Sequence, residues 1–216
     1  MRFFSKALLG LALICASLVG VGCWWFYFYS GDIPNFDGLD NFTPAATTTA
    51  AYDCASSTIG VVPYILMGEN VQRAVRVAEG EDRFLSRRIS LRLFCNYKNQ
   101  MQTLPRQVLE LKASVQIQRR FTSEQILAIY INGAYFGDGI FGIEGASKHY
   151  YGKSPSELDI AQAAMLAGLL KAPSIYSLKH HPDRARARRN EVIAKMVNTG
   201  AITPAQGQSA IQSDSK

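Results

Sequence analysis

From Pro105 to Gly152 the chain reads PRQVLELKASVQIQRRFTSEQILAIYINGAYFGDGIFGIEGASKHYYG. Its apolar positions fall at helical spacing twice before giving way to a glycine- and aromatic-rich loop. In the first pattern Val108, Leu111, Val115 and Ile117 can line one face. Arg106 and Glu110 stand four apart, which sets a cation and a carboxylate on one side of the same helix. In the second, Thr122-x-x-Gln125 has the spacing of a capping box. Ile126, Leu127, Tyr130 and Ile131 supply a buried stripe, and Asn132-Gly133 ends it.

The same reading extends to both sides. In VPYILMGENVQRAVRVAEG a short extended piece precedes a helix whose Val71, Ala74, Val75 and Ala78 form the apolar face. Glu79 falls at its end, where the negative pole of the helix dipole disfavours a carboxylate. LSRRISLRLFCN predicts another helix, with Leu85, Ile89 and Leu93 inward and Arg87, Arg88 and Arg92 outward. Downstream, Ser154-Pro155-Ser156-Glu157 carries a cap, a proline and a capping glutamate, and Asp159-x-x-Gln162 repeats the box before the buried helix AQAAMLAGLL. Lys171-Ala172-Pro173 ends that helix. Pro182 opens the next one, which Gly200 closes, and Thr203-Pro204 starts a short last helix. No strand of consequence is expected, so the fold class is all-α.

At the N-terminus, Ala7 to Tyr29 form an uncharged, almost wholly apolar run of about 20 residues, the length that spans a bilayer. Arg2 and Lys6 precede it, so the positive-inside rule keeps the N-terminus cytoplasmic and sends the rest across the membrane. Trp24, Trp25, Tyr27 and Tyr29 suit the interface. A cleaved signal peptide would be shorter in its apolar part and followed by small residues, and the Cys23 surroundings match a lipoprotein site poorly. The expected organisation is an anchor over 1–30, a Gly-, Pro- and Thr-rich linker over 31–60, and one domain over 61–216.

A net charge of +6 and a pI near 9.2 favour anionic partners. The basic residues sit on a domain read as exported, which argues against nucleic acid. Outside the span only Cys54 and Cys95 remain, and in an oxidising compartment they suggest one disulfide. Alternatively, Cys95 in the apolar run LFC is a buried small side chain. No His/Cys cluster has metal-ligand spacing. His149, His180 and His181 read as surface or helix-end residues.

The stretch YINGAYFGDGIFGIEGASKHYYGKSPSELDIAQAAMLAGLLKAPSIYS resembles the peptidoglycan polymerases of glycosyltransferase family 51. It follows their Tyr-Leu-Asn segment, glycine-aromatic loop, Tyr-Phe-Gly-Lys turn and Ala-Pro-Ser-x-Tyr end. PDRARARRNEVIAKMVNTGAITPAQ is similar to the family's closing helix with its Arg-Arg-x-x-Val motif, here Arg188, Arg189 and Val192. The resemblance implies a lysozyme-like fold at the bacterial inner membrane, with the domain on the extracytoplasmic side. It also implies an activity. A glutamate deprotonates an acceptor hydroxyl, which displaces undecaprenyl pyrophosphate from the anomeric carbon of the growing chain, and lipid II is polymerised. Such a base suits a partly desolvated carboxylate, and a departing pyrophosphate suits preorganised Arg and Lys.

Carried onto this sequence, the family's Arg-Lys-x-x-Glu motif corresponds to Arg106, Gln107 and Glu110, with glutamine in place of lysine. In the next motif Ile126, Leu127, Tyr130 and Asn132 match, while Ser123 and Ala128 replace the charged residues. The catalytic glutamate of the first motif falls on Glu79, with Glu81 and Glu110 as the other candidate carboxylates. Arg87 and Arg88 fall where the family has two glutamines. Arg87, Arg88, Arg106, Gln107, Asn132, Arg188 and Arg189 are thus the expected substrate or pyrophosphate contacts, and Mg²⁺ or another divalent cation is expected by resemblance alone. The expected partners are lipid II, the nascent glycan, the membrane and cell-wall synthesis proteins. The shortened N-terminal motifs keep a second possibility open, a degenerate member that binds lipid II or a synthesis partner without turnover. A lytic lysozyme-like activity is a third.

Overall fold

The structure, a computed structural model, describes residues 66–93 and 104–213. The expected membrane anchor, the linker, Cys54 and Cys95 lie outside the described residues. No helix among those described is long and apolar enough to cross a membrane.

The described part is mostly helical. In order come α1 (Glu69–Glu79), α2 (Asp82–Leu93), α3 (Leu104–Arg120) and α4 (Ser123–Gly133), then a hairpin of β1 (Tyr135–Gly137) and β2 (Ile140–Phe141). They are followed by α5 (Ile143–Tyr151), a 3₁₀ turn over Pro155–Glu157, α6 (Ile160–Leu169), α7 (Pro182–Asn198) and α8 (Pro204–Gln212). Capping explains four of the starts. Thr122 with Gln125, Ser154 with Glu157, Asp159 with Gln162 and Thr203 with Gln206 each form a complete capping box. Each box satisfies backbone donors that the first turn cannot, a contribution of about 1 kcal/mol per cap.

α6 is the hub. Every residue from Ala161 to Leu169 is buried, and the helix packs on α1 and α7. Its alanines and Gly168 let neighbours approach closely: a Cβ added at Gly168 would lie 3.1 Å from Cγ of Arg188. Met67, Val71, Ala74 and Val75 on the α1 side, with Val192, Ile193 and Met196 of α7, complete this side of the core.

Two details differ from expectation. First, a short hairpin sits within the mostly helical fold. Its antiparallel register pairs Tyr135 with Phe141 and Gly137 with Ile140 around an irregularity, and the Tyr135 and Phe141 rings lie 4.9 Å apart. The turn needs positive φ at Gly137, Asp138 and Gly139 in succession, which two glycines and an aspartate tolerate. The Tyr150 hydroxyl ties it to α5, donating to Phe136 O at 3.1 Å with Asp138 Oδ2 at 3.4 Å. Burial, then the neighbouring Asp138 charge, push that phenol up to about 12.

Second, α3 turns a different face inward. Leu111 and Val115 are 57% and 38% exposed, and the buried positions are Glu110, Ala113, Ser114 and Ile117. α3 packs against α2, which itself buries Ser86 and Ser90 beside Leu85 and Ile89. Small side chains permit close approach. The α2 serines lose little by burial because Ser86 Oγ donates to Asp82 O at 2.7 Å and Ser90 Oγ to Arg87 O at 2.8 Å.

Candidate active site

α1 ends on Glu79, and Gly80 follows with φ 92, a conformation open to glycine but strained for other residues. The chain turns there into α2, which carries Arg88 back over the end of α1. Arg88 Nη1 lies 2.7 Å from Glu79 Oε2. The same nitrogen lies 3.0 Å from the Tyr130 hydroxyl of α4, and the Leu170 carbonyl just beyond α6 is 3.4 Å away. Tyr130 donates its own hydroxyl proton to Glu79 Oε2 at 3.1 Å. The Glu79 side chain is 2% exposed and the Arg88 side chain 42%. A carboxylate this buried is tolerable only with a cation and a donor on it, and both are present.

The expected site residues do not all converge here. Helix geometry turns Arg87 about 100° away from Arg88; it is exposed, and its guanidinium has no partner among the described residues. Glu81 is exposed on the turn between α1 and α2. Glu110 is buried on α3 and has an interaction partner. Gln107 is exposed one turn earlier, and the Arg106 side chain lies outside the described part. Asn132 is fully buried, with Nδ2 donating to Ala128 O of its own helix at 2.9 Å. His149, His180 and His181 are exposed, as expected.

Arg188 and Arg189 are buried inside the C-terminal packing. Arg189 donates through Nη2 to Ile211 O at 3.2 Å and through Nη1 to Ser213 O at 3.3 Å, bonding carbonyls at the end of α8. Replacing Arg189 with methionine keeps the stem but strands these carbonyls, and is expected to cost about 2 kcal/mol of stability. Denaturant titration beside substrate kinetics checks this: a changed KM with unchanged stability would instead favour substrate contact.

Arg188 Nη1 donates to Glu191 Oε2 at 2.8 Å, and this bond holds the Glu191 carboxyl below its usual range. A depressed carboxyl contributes stability at neutral pH, and the contribution is lost as pH falls through its folded-state value. The stability gap between wild type and Glu191→Gln should therefore close with acidification. Glu191 is 60% exposed, so the gap is small. Melting temperatures across that pH range provide the check.

Tyr130 is the site member that the hydrophobic pattern conceals, because it reads as one more position of a buried stripe. The signal is chemical: a tyrosine within an aliphatic stripe brings a hydroxyl that must find a partner.

The family model described as Transglycosylase matches residues 88–197, from Arg88 to near the end of α7. The chain belongs to the transglycosylase family. Among curated relatives, penicillin-binding protein 1A of Aquifex aeolicus (strain VF5) is 37% identical over 139 residues, covering 64% of this chain and 19% of that protein. Penicillin-binding protein 2a of Streptococcus pneumoniae (strain D39) is 40% identical over 118 residues, covering 55% and 16%. The 2.6 Å crystal structure of penicillin-binding protein 1A from Haemophilus influenzae aligns with TM-score 0.50 at 20% identity over 74% of this chain and 18% of that one, which supports a shared fold. The transglycosylase chain thus spans about a fifth or less of the length of these relatives.

The Mg²⁺ expected from the resemblance finds no ligand set here. Among the described residues no group of three or more His, Cys, Asp or Glu side chains could hold a metal, and the Glu79 carboxylate is already neutralised by Arg88.

Proposed function

We propose that this chain is a membrane-anchored peptidoglycan glycosyltransferase that joins lipid II into glycan strands, with Glu79 as its general base. The supporting observation is the buried Glu79 carboxylate beneath the half-exposed guanidinium of Arg88. A general base gains from a site that excludes water, because its proton affinity is then set by fixed neighbours. In the reaction, Glu79 takes the proton of the acceptor sugar hydroxyl. That oxygen forms the new bond at the anomeric carbon of the donor, and the bond from this carbon to the pyrophosphate oxygen breaks with inversion. The pyrophosphate departs with the electron pair.

Arg88 is accessible enough to turn from Glu79 toward the arriving pyrophosphate, and one movement would uncover the base and supply the cation. Arg87, exposed on the same helix, is a second candidate cation. In this reading the apolar run over 7–29 anchors the domain beside its lipid-linked substrate.

The runner-up is a lipid II-binding or cell-wall-synthesis scaffold without turnover. It is favoured by the ion pair that occupies Glu79 and by the arginines standing where the family has glutamines. Labelled lipid II incubated with the purified full-length protein in detergent separates the two. Glycan polymer establishes the enzyme; binding without polymer leaves the scaffold.

A further inference from the structure

Two hydrogen-bond donors reach the Glu79 carboxylate, and both fall on the same oxygen. Arg88 Nη1 and the Tyr130 hydroxyl contact Oε2 at 2.7 and 3.1 Å, and among the described residues no other hydrogen-bond donor or cation reaches either oxygen. From the end of α6 comes the Leu170 carbonyl, which receives Arg88 rather than Glu79. Arg76, on the same helix as Glu79, is turned to Asp82 and Ser123. Arg88 is held by its neighbours but half-open to solvent, whereas Tyr130 is buried in the C-terminal half of α4. A hydroxyl on a buried helix keeps its place when an exposed arginine moves.

We propose that Tyr130 is the positioning residue of the candidate base. Its hydroxyl pins Oε2, fixes the rotation of the carboxylate and leaves Oε1 with free lone pairs to receive the proton of the acceptor hydroxyl. Once Arg88 has turned toward an anionic substrate, Tyr130 is the donor that remains on Glu79. This deepens the reading of Glu79 as base and rests on it.

A hydrogen bond to the charged form of a carboxyl favours that form, so removing it makes the group take up a proton at higher pH. In Tyr130→Phe the ring stays and the hydroxyl goes. The acid limb of the kcat/KM profile for lipid II polymerisation should move up by about one pH unit, with kcat falling more than KM changes. A 3-fluorotyrosine at position 130 is a stronger donor of nearly the same shape and should move the limb the other way. This second variant serves if the phenylalanine variant folds poorly. A merely structural Tyr130 would lower stability and leave the limb where it is.

The experiment uses the full-length protein and includes Glu79→Gln. If Glu79→Gln is inactive and neither change at position 130 moves the limb, the positioning role is overturned while the base stands. If Glu79→Gln is as active as wild type, the base reading fails and takes this role with it. If wild type makes no polymer, the base reading fails and the positioning role is overturned with it.

Discussion

Glu79→Gln is expected to lower the rate of lipid II polymerisation by about 10²–10⁴-fold while leaving the protein folded, the range over which a positioned general base contributes. Glutamine has the shape of glutamate and an amide oxygen that can still accept from Tyr130 and Arg88. What it lacks is a site for the acceptor's proton. The loss of charge leaves Arg88 without its counter-ion, but that side chain is 42% exposed and water can solvate it. Stability should therefore change by only about 1 kcal/mol, and lipid II binding should persist. Single-turnover rates on labelled lipid II, read beside a melting curve, separate these quantities. A wild-type rate in the variant would move the base to Glu81 or Glu110, the other carboxylates that the sequence offers.

The reverse arrangement shows why Glu79 rather than Glu81 is the stronger candidate. Only Gly80 separates them, yet Glu79 is almost fully buried at the last turn of α1 and Glu81 is exposed on the turn that follows. An exposed glutamate is surrounded by water and gains nothing from the fold. Glu79 faces an arginine and a phenol, each supplied by a different helix. Its surroundings are therefore coupled to the packing of α1, α2 and α4.

Where residues act locally, the sequence was readable. Thr122, Ser154, Asp159 and Thr203 cap helices through side chains three residues away, and Glu79 ends its helix because Gly80 follows it. The buried helix AQAAMLAGLL needs no partner to be recognised. Reading failed where tertiary contacts decide. In α3 the leucine and valine at 111 and 115 are left outward because Ala113 and Ser114 suit a close approach to α2 better than branched side chains do. The hairpin at Asp138-Gly139 carried a turn signal between apolar pairs, but its strands are too short to show alternation. In the candidate site, Glu79 and Arg88 were both legible as functional types. Their pairing was not, because it depends on the turn at Gly80, and the Tyr130 bond spans 51 residues of sequence. Arg188 and Arg189 are basic residues of a family motif that suggests an anion, and the structure adds what the motif does not show: both are buried with partners in the chain itself.

Gly68→Ala is expected to be the most destabilising of the small substitutions, at about 3–5 kcal/mol. Gly68 precedes α1 with φ 73 and ψ 142, a region that side chains occupy only under strain of roughly 1–3 kcal/mol. Space is also missing: a Cβ there would lie 2.8 Å from Ser156 Cα and 3.0 Å from Pro155 O, backbone atoms that no rotamer change can move aside. Relieving the clash must shift the start of α1 from the 3₁₀ turn, and the bond from Asn70 Nδ2 to Leu158 O at 2.9 Å would go with it. Forced overpacking adds roughly 1–3 kcal/mol to the strain. For a domain of this size the sum corresponds to a fall in melting temperature of roughly 6–20 °C. Gly152→Ala is the control, because Gly152 also has positive φ, at 66, but nothing lies within 4 Å of the added carbon. It should lose only about 1 kcal/mol, the conformational part alone. If the two variants melt together, backbone crowding at Ser156 is not what fixes α1. If Gly68→Ala melts far lower, the seat of α1 on the 3₁₀ turn is what holds Glu79 at its other end in register with Arg88 and Tyr130.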